Sequence, residues 1–154
     1  MRTNLETQND HELRTHLQLH HYWALLRGAR PFPSENDIDS DEIANIWPSC
    51  FLISIDNVTR RLGYRYSYLG SALIEAFGGD DNNSDIALQL LSNTDMPMVK
   101  MFDEVLKYQR PTVDEAEFVN LKNLKIKYRA SLLPLGYNDE EVSHILGCMG
   151  WKVC

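Results

Sequence analysis

The chain has 154 residues, enough for one domain with a sizeable core and little room for a second. Hydrophobic residues make up 44% and charged residues 24%, as in an ordinary folded protein, and the formal net charge is −7. That acidity argues against nucleic-acid or anionic-membrane partners, which both call for a basic face. The polar stretch Met1 to Asp10 has no secretory core, and apolar runs such as Phe51-Leu52-Ile53 are far too short to span a bilayer, so a cytoplasmic location is expected. Cys50, Cys148 and Cys154 show no C-x-x-C spacing and read as reduced thiols.

In chain order, the spacing of Leu13, Leu17, Tyr22, Trp23, Leu25 and Leu26 predicts an amphipathic helix from about His11 to Arg27, capped by Asp10 and stopped at Gly28. A short helical piece is expected around Ser40 to Trp47. Cys50 to Asp56 suits a mostly buried strand. Leu62 to Leu69 alternates, which would set Tyr64, Tyr66 and Tyr68 on one face, and the short turn Asn57 to Arg61 makes the two strands a hairpin. Ser71 to Phe77 reads as a helix ended by Gly78 and Gly79. Next come a polar loop from Asp80 to Asp85, a helical stretch near Ala87 to Leu91, and a helix from Thr94 or Asp95 to about Tyr108 striped by Val99, Phe102 and Leu106. Three strands complete the chain: Thr112 to Val119, Leu124 to Leu133 and Val142 to Val153.

Two strands, a helical crossover and a three-stranded meander can close into one five-stranded antiparallel sheet with helices on one face and an additional N-terminal helix, an α+β fold. The expected division is a flexible N-terminus over 1–9, a helical extension over 10–49 and a core domain over 50–154.

Several short motifs invite sharper readings. Phe77-Gly78-Gly79-Asp80-Asp81 looks like a nucleotide-binding Gly-Gly-Asp turn, but a glycine pair ending a helix explains it. Asp81, Asn83 and Asp85 begin like a calcium loop, yet Ile86 and Ser92 stand where Gly and Glu are required. His16 and His20 share a helical face at a spacing that can hold a metal, without further ligands nearby, so no metal site is expected. His144, on a strand, is open to three readings: a buried hydrogen-bonding residue, a pocket contact or a haem ligand. No nucleophile elbow, reactive cysteine setting or separable carboxylate pair emerges, so no catalytic residue is assigned.

The aromatic residues are the strongest binding candidates. Tyr66, Tyr68, Phe77, Phe102, Tyr128 and Trp151, with His144, are expected to line a cavity between sheet and helices, or else to fill it as core. Leu13, Leu17 and Leu26 of the first helix are expected to meet a protein partner or a second copy, or to pack on their own sheet. No cofactor is specified.

A resemblance gives these elements a family. Tyr22-Trp23-x-x-Leu26-Arg27-Gly28, Pro33-Ser34-x-x-Asp37-Ile38-Asp39 and Pro48 before Phe51-Leu52-Ile53 are followed by Tyr64-Arg65-Tyr66-x-Tyr68-Leu69-Gly70-Ser71-x-Leu73 and Phe77-Gly78. With Tyr128-Arg129-x-x-Leu132-Leu133-Pro134-Leu135 and Ile145-Leu146-Gly147, they resemble a PAS-like family found mainly in alphaproteobacteria. The match runs from about Leu17 to Trp151. It departs at Glu35-Asn36 and at Gly79 to Asn83, where basic residues are usual. The resemblance implies a PAS-like fold and a sensory or interaction module in bacterial signalling, without a reaction. The competing reading is a small cone-shaped α+β enzyme of the ketosteroid-isomerase kind, needing an Asp or Tyr such as Tyr66 or Asp114 in an apolar pocket. Strand order discriminates, since two strands ahead of the helical crossover favour PAS.

Overall fold

A computed structural model describes residues 4–56, 63–79 and 97–154. The first helix, α1 (Asn4–Arg27), begins before the expected Asp10 cap. It ends at Gly28, whose φ of +58° is the left-handed turn that glycine adopts without strain. Short 3-10 turns follow at Glu35–Asp37, Ser40–Ile43 and Trp47–Ser49, so the helical piece expected around Ser40 is two tight turns. The first of them is opened by a capping box between Ser34 and Asp37.

The strands are β1 (Cys50–Asp56), β2 (Gly63–Leu69), β3 (Thr112–Val119), β4 (Lys125–Leu135) and β5 (His144–Val153). Between β2 and β3 lie α2 (Ser71–Ala76) and α3 (Pro97–Tyr108). The hairpin turn at 57–61, the polar loop with its calcium-like start and the helical stretch near Ala87 lie outside the described residues. The strands form one five-stranded sheet in the order β2-β1-β5-β4-β3, every neighbouring pair antiparallel. Two strands thus precede the helical crossover, and the last strand closes the sheet centre beside β1.

The sheet carries an apolar core on each face. On one, α2 and α3 bring Leu73, Phe77, Met101, Phe102 and Val105 onto Phe51, Ile53, Tyr128, Ala130, Leu132, Ile145 and Met149. On the other, α1 brings Leu19, Tyr22 and Trp23 onto Cys50, Leu52, Leu133, Leu135, Leu146 and Cys148. This double coverage explains the composition of β4. Its first half alternates exposed Lys125, Lys127 and Arg129 with buried Ile126, Tyr128 and Ala130, whereas every residue from Ser131 to Leu135 is buried. Pro134 fits this strand because it lies past Leu132, the last β4 residue opposite β3, so its missing N–H breaks no bond to that neighbour.

Asn120 ties the β3–β4 turn to α2. Its Oδ1 accepts from the Lys122 and Leu124 backbone amides at 3.0 and 2.9 Å, and its Nδ2 donates to the Ala76 carbonyl at 3.1 Å. Substituting alanine leaves three polar groups to find partners at a buried position. The expected cost is about 2 kcal/mol, read as a lower urea midpoint with unchanged slope. Asn120→Asp keeps the two acceptor contacts but sets a carboxylate oxygen against the Ala76 carbonyl at a buried position, so it should be destabilising as well.

Candidate functional site

The α2/α3 face gathers five of the aromatic candidates. Tyr66, Phe77, Phe102, Tyr128 and Trp151 all belong to its core, with Phe77, Phe102 and Tyr128 buried and the other two partly so. They are joined by Tyr64, which the alternation of β2 sets on the face of Tyr66, and by Phe51 and Phe118, for which local spacing gave no pocket signal. Phe51 meets Tyr66 edge-on at 6.1 Å between centroids, and Phe102 stands 5.0 Å from Tyr64. Phe118 bridges Phe77 and Tyr128 at 5.3 and 5.7 Å. Trp151 is fixed by its Nε1–H, which donates to the Ala72 carbonyl at 3.1 Å.

Polar atoms in this apolar setting are few. The Tyr128 hydroxyl is buried and has no hydrogen-bond partner among the described residues. Burial, then the Asp114 carboxylate, pushes its phenol up to about 12, so it is a neutral O–H donor at any physiological pH. Tyr66 is shifted upward too, by burial and then by Tyr128, which places the two phenols in each other's field. The Tyr64 hydroxyl is already engaged, donating to the Asp103 carboxylate of α3. Asp114 is exposed on β3 rather than enclosed in apolar surroundings, and does not form the held carboxylate that an isomerase site requires.

Two of the candidates belong elsewhere. Tyr68 is on the α1 face, stacked on Trp47 at 4.2 Å with its hydroxyl donating to the Trp47 carbonyl. The cause is a bulge: Leu52 pairs with Tyr68 and Ile53 with Tyr66, leaving Ser67 as an extra residue. Strict alternation would have kept all three tyrosines together, and the bulge turns the third through the sheet. His144 likewise faces away from the aromatic site. Its Nε2 lies 3.0 Å from Glu35 Oε2, its Nδ1 2.9 Å from Ser143 Oγ, and Tyr137 donates to the same Glu35 oxygen at 2.9 Å. Burial lowers its pKa, with Glu35 opposing that shift. Of its three readings, the buried hydrogen-bonding one describes this position.

The α1 leucines divide. Leu26 packs against the α1-face core, while Leu13 and Leu17 stand 50% and 59% exposed. His16 and His20 turn inward and converge on Ser131 Oγ, an association across more than a hundred residues that no local pattern announces. Among the described residues no cluster of three or more His, Cys, Asp or Glu side chains is placed to hold a metal ion. No helix among them is long and apolar enough to cross a membrane.

A β2-β1-β5-β4-β3 antiparallel sheet with crossover helices enclosing an aromatic face defines a PAS-type sensory or interaction module. The sequence profile described as the PAS domain matches residues 11–150, and the chain belongs to that family. A search of curated proteins finds no match. Among solved structures, the Rhodobacter sphaeroides LOV protein is similar at 13% identity and a TM-score of 0.47, over 74% of this chain and 68% of that one. The PAS domain of the fruit-fly ELK potassium channel is similar at 12% identity and a TM-score of 0.49, over 73% and 96%. An RNA-binding light-oxygen-voltage receptor is similar at 16% identity and a TM-score of 0.42, over 67% and 29%.

Proposed function

We propose that this chain is a non-enzymatic, cytoplasmic sensor whose input is a small, largely apolar molecule seated between the sheet and α2/α3. The observation that carries this reading is the Tyr128 hydroxyl, a donor with no partner among the described residues, on a side chain only 2% exposed and set among aromatic rings. A buried O–H without a partner costs about 1–3 kcal/mol, a cost that a ligand's acceptor atom removes. The aromatic rings supply contact area and the phenol supplies orientation, the usual division of labour in a small-molecule site. Tyr66, Phe77, Phe102, Tyr128 and Trp151 are the proposed contacts. Occupancy would favour one packing of α2 and α3 on the sheet and so change the surface offered to a protein partner or a second copy.

Native mass spectrometry and an absorption spectrum of freshly purified protein test this directly. A retained small molecule, reduced about tenfold in Tyr128→Phe, is the expected result. Bare-chain mass together with no thermal shift across a library of apolar acceptors would leave contact with other proteins as the function. In ligand-free protein the same substitution should be neutral or stabilising by up to about 1 kcal/mol, since it removes an unsatisfied group. A clear destabilisation would mean that the hydroxyl is paired after all.

A further inference from the structure

The face of the sheet opposite the aromatic site holds a second arrangement of polar groups. His16 and His20, one turn apart on α1, reach the same hydroxyl: His16 Nδ1 lies 2.6 Å and His20 Nε2 3.0 Å from Ser131 Oγ. Ser131 is fully buried on β4 and His16 is 6% exposed. Cys148 Sγ of β5 lies 3.5 Å from His16 Nδ1. The other ring nitrogen of His16, Nε2, is buried with no partner among the described residues. A hydroxyl has one proton, so Ser131 donates to one ring and accepts from the other. The contact is complete with two neutral rings of complementary tautomer. With both rings protonated, the Ser131 proton has no acceptor left between them. Where neutral His16 carries its proton on Nδ1, protonation turns Nε2 into a buried N–H with no acceptor among the described residues; where it carries it on Nε2, protonation removes the acceptor that Nδ1 offered to the Ser131 proton.

We propose that His16, Ser131 and His20 form a proton-sensitive latch, which holds α1 on the sheet when both rings are neutral and releases it when they take up protons. Release would uncover the apolar surface of Leu133, Leu135 and Leu146 together with the inner side of α1 that carries Leu19, Tyr22 and Trp23. This is a second input, on the opposite side of the sheet from the ligand reading and independent of it.

The surrounding charges do little to stabilise an imidazolium. From α1, Glu12 lies one turn before His16, and its own carboxyl is raised by burial. From β4, Arg129 adds positive charge and is paired with Glu115 of β3. From β5, Lys152 adds another positive charge beside Glu12, and Cys148 stays a neutral thiol, as does Cys50 of β1 opposite it. His16 is accordingly depressed from 6.5 to about 4, by burial first and then by His20 and Arg129, and His20 is depressed by burial. Groups whose docked pKa lies below the free value favour docking above that free value and lose this contribution as pH falls. The latch therefore weakens from about 6.5 downwards. Glu12, raised by burial, shifts the other way: taking up its proton strengthens docking as pH falls, so it opposes the histidines rather than adding to their effect.

Hydrogen exchange of the full chain, corrected for intrinsic rates, reads the latch at about pH 7.5 and about pH 5.5. Protection across residues 12–27 should fall about tenfold through His16 alone, and further with His20, while the β1–β5 pairing keeps its protection. His16→Gln/His20→Gln should show no such fall between the two conditions. A wild-type change of less than about twofold, or an equal fall in the double variant, overturns the proposal. Should that variant not fold, side-chain resonances of the wild type decide. A His16 midpoint well below 6.5 that tracks helix opening supports the latch, and one at or above 6.5 overturns it. No ligand enters this test, so its outcome is separate from that of the sensor reading.

Discussion

Trp23→Ala should lower the unfolding free energy by about 3–5 kcal/mol, the largest effect expected of any substitution in α1. Trp23 is buried between α1 and the sheet, and its Nε1–H donates to the Pro134 carbonyl at 2.9 Å. Truncation removes a large buried ring and also strands that carbonyl, which no β3 residue faces. Surrounding side chains cannot collapse into the gap, because Leu19, Tyr22 and Leu133 are held by their own contacts in the same cluster. Guanidinium unfolding followed by far-ultraviolet circular dichroism measures the loss. Leu17→Ala, on the exposed side of the same helix, should change stability by no more than about 0.5 kcal/mol. A Trp23→Ala loss below about 1 kcal/mol would mean that α1 is not docked in solution.

Gly70→Ala is the second large effect, from the addition of one methyl. Gly70 joins β2 to α2, and its amide donates to the Cys50 carbonyl at 2.9 Å. A Cβ there would collide with the Pro48 carbonyl oxygen and stand 2.6 Å from its carbon and 2.7 Å from the Cys50 oxygen. All three are backbone atoms of the segment entering β1, so no rotamer change relieves the overlap. The chain must move at the point where the sheet edge meets the first covering helix, at an expected cost of about 3 kcal/mol. Gly28→Ala provides the contrast. Nothing lies within 4 Å of its Cβ position, and only the positive φ resists substitution, for about 1 kcal/mol. Thermal unfolding of the two variants should rank them in that order, and equal midpoints would contradict the close approach at Gly70.

The elements that read well from the residues are those whose burial follows a local period. Ile126, Tyr128 and Ala130 alternate with Lys125, Lys127 and Arg129, and Gly28 and Gly78 both take the positive φ that ends a helix. Grouping the tyrosines of β2 fails at Tyr68, because alternation carries no information about an inserted residue. Placing His144 with Trp151 in one pocket conflicts with the alternation of β5 itself, since an even and an odd residue of a regular strand face opposite sides. The helical spacing of α1 does predict burial of part of its surface. It cannot reveal that the buried stripe includes two histidines, because their partner, Ser131, becomes visible only once β4 is laid under the helix. Long-range pairing is what the one-dimensional pattern lacks. The polar contacts around Ser131 and around Glu35 are of that kind.

The bulge at Ser67 has a mechanical consequence for the outermost strand. An edge strand is bonded on one side only and is ordinarily the part of a sheet most prone to slip in register. Here Tyr66 is gripped from one face by Phe51, and Tyr68 from the other by Trp47. A slide of β2 in either direction would have to extract both rings at once, from opposite surfaces. The strand is riveted through the thickness of the sheet, and its one irregular residue is what lets the rivet have two heads.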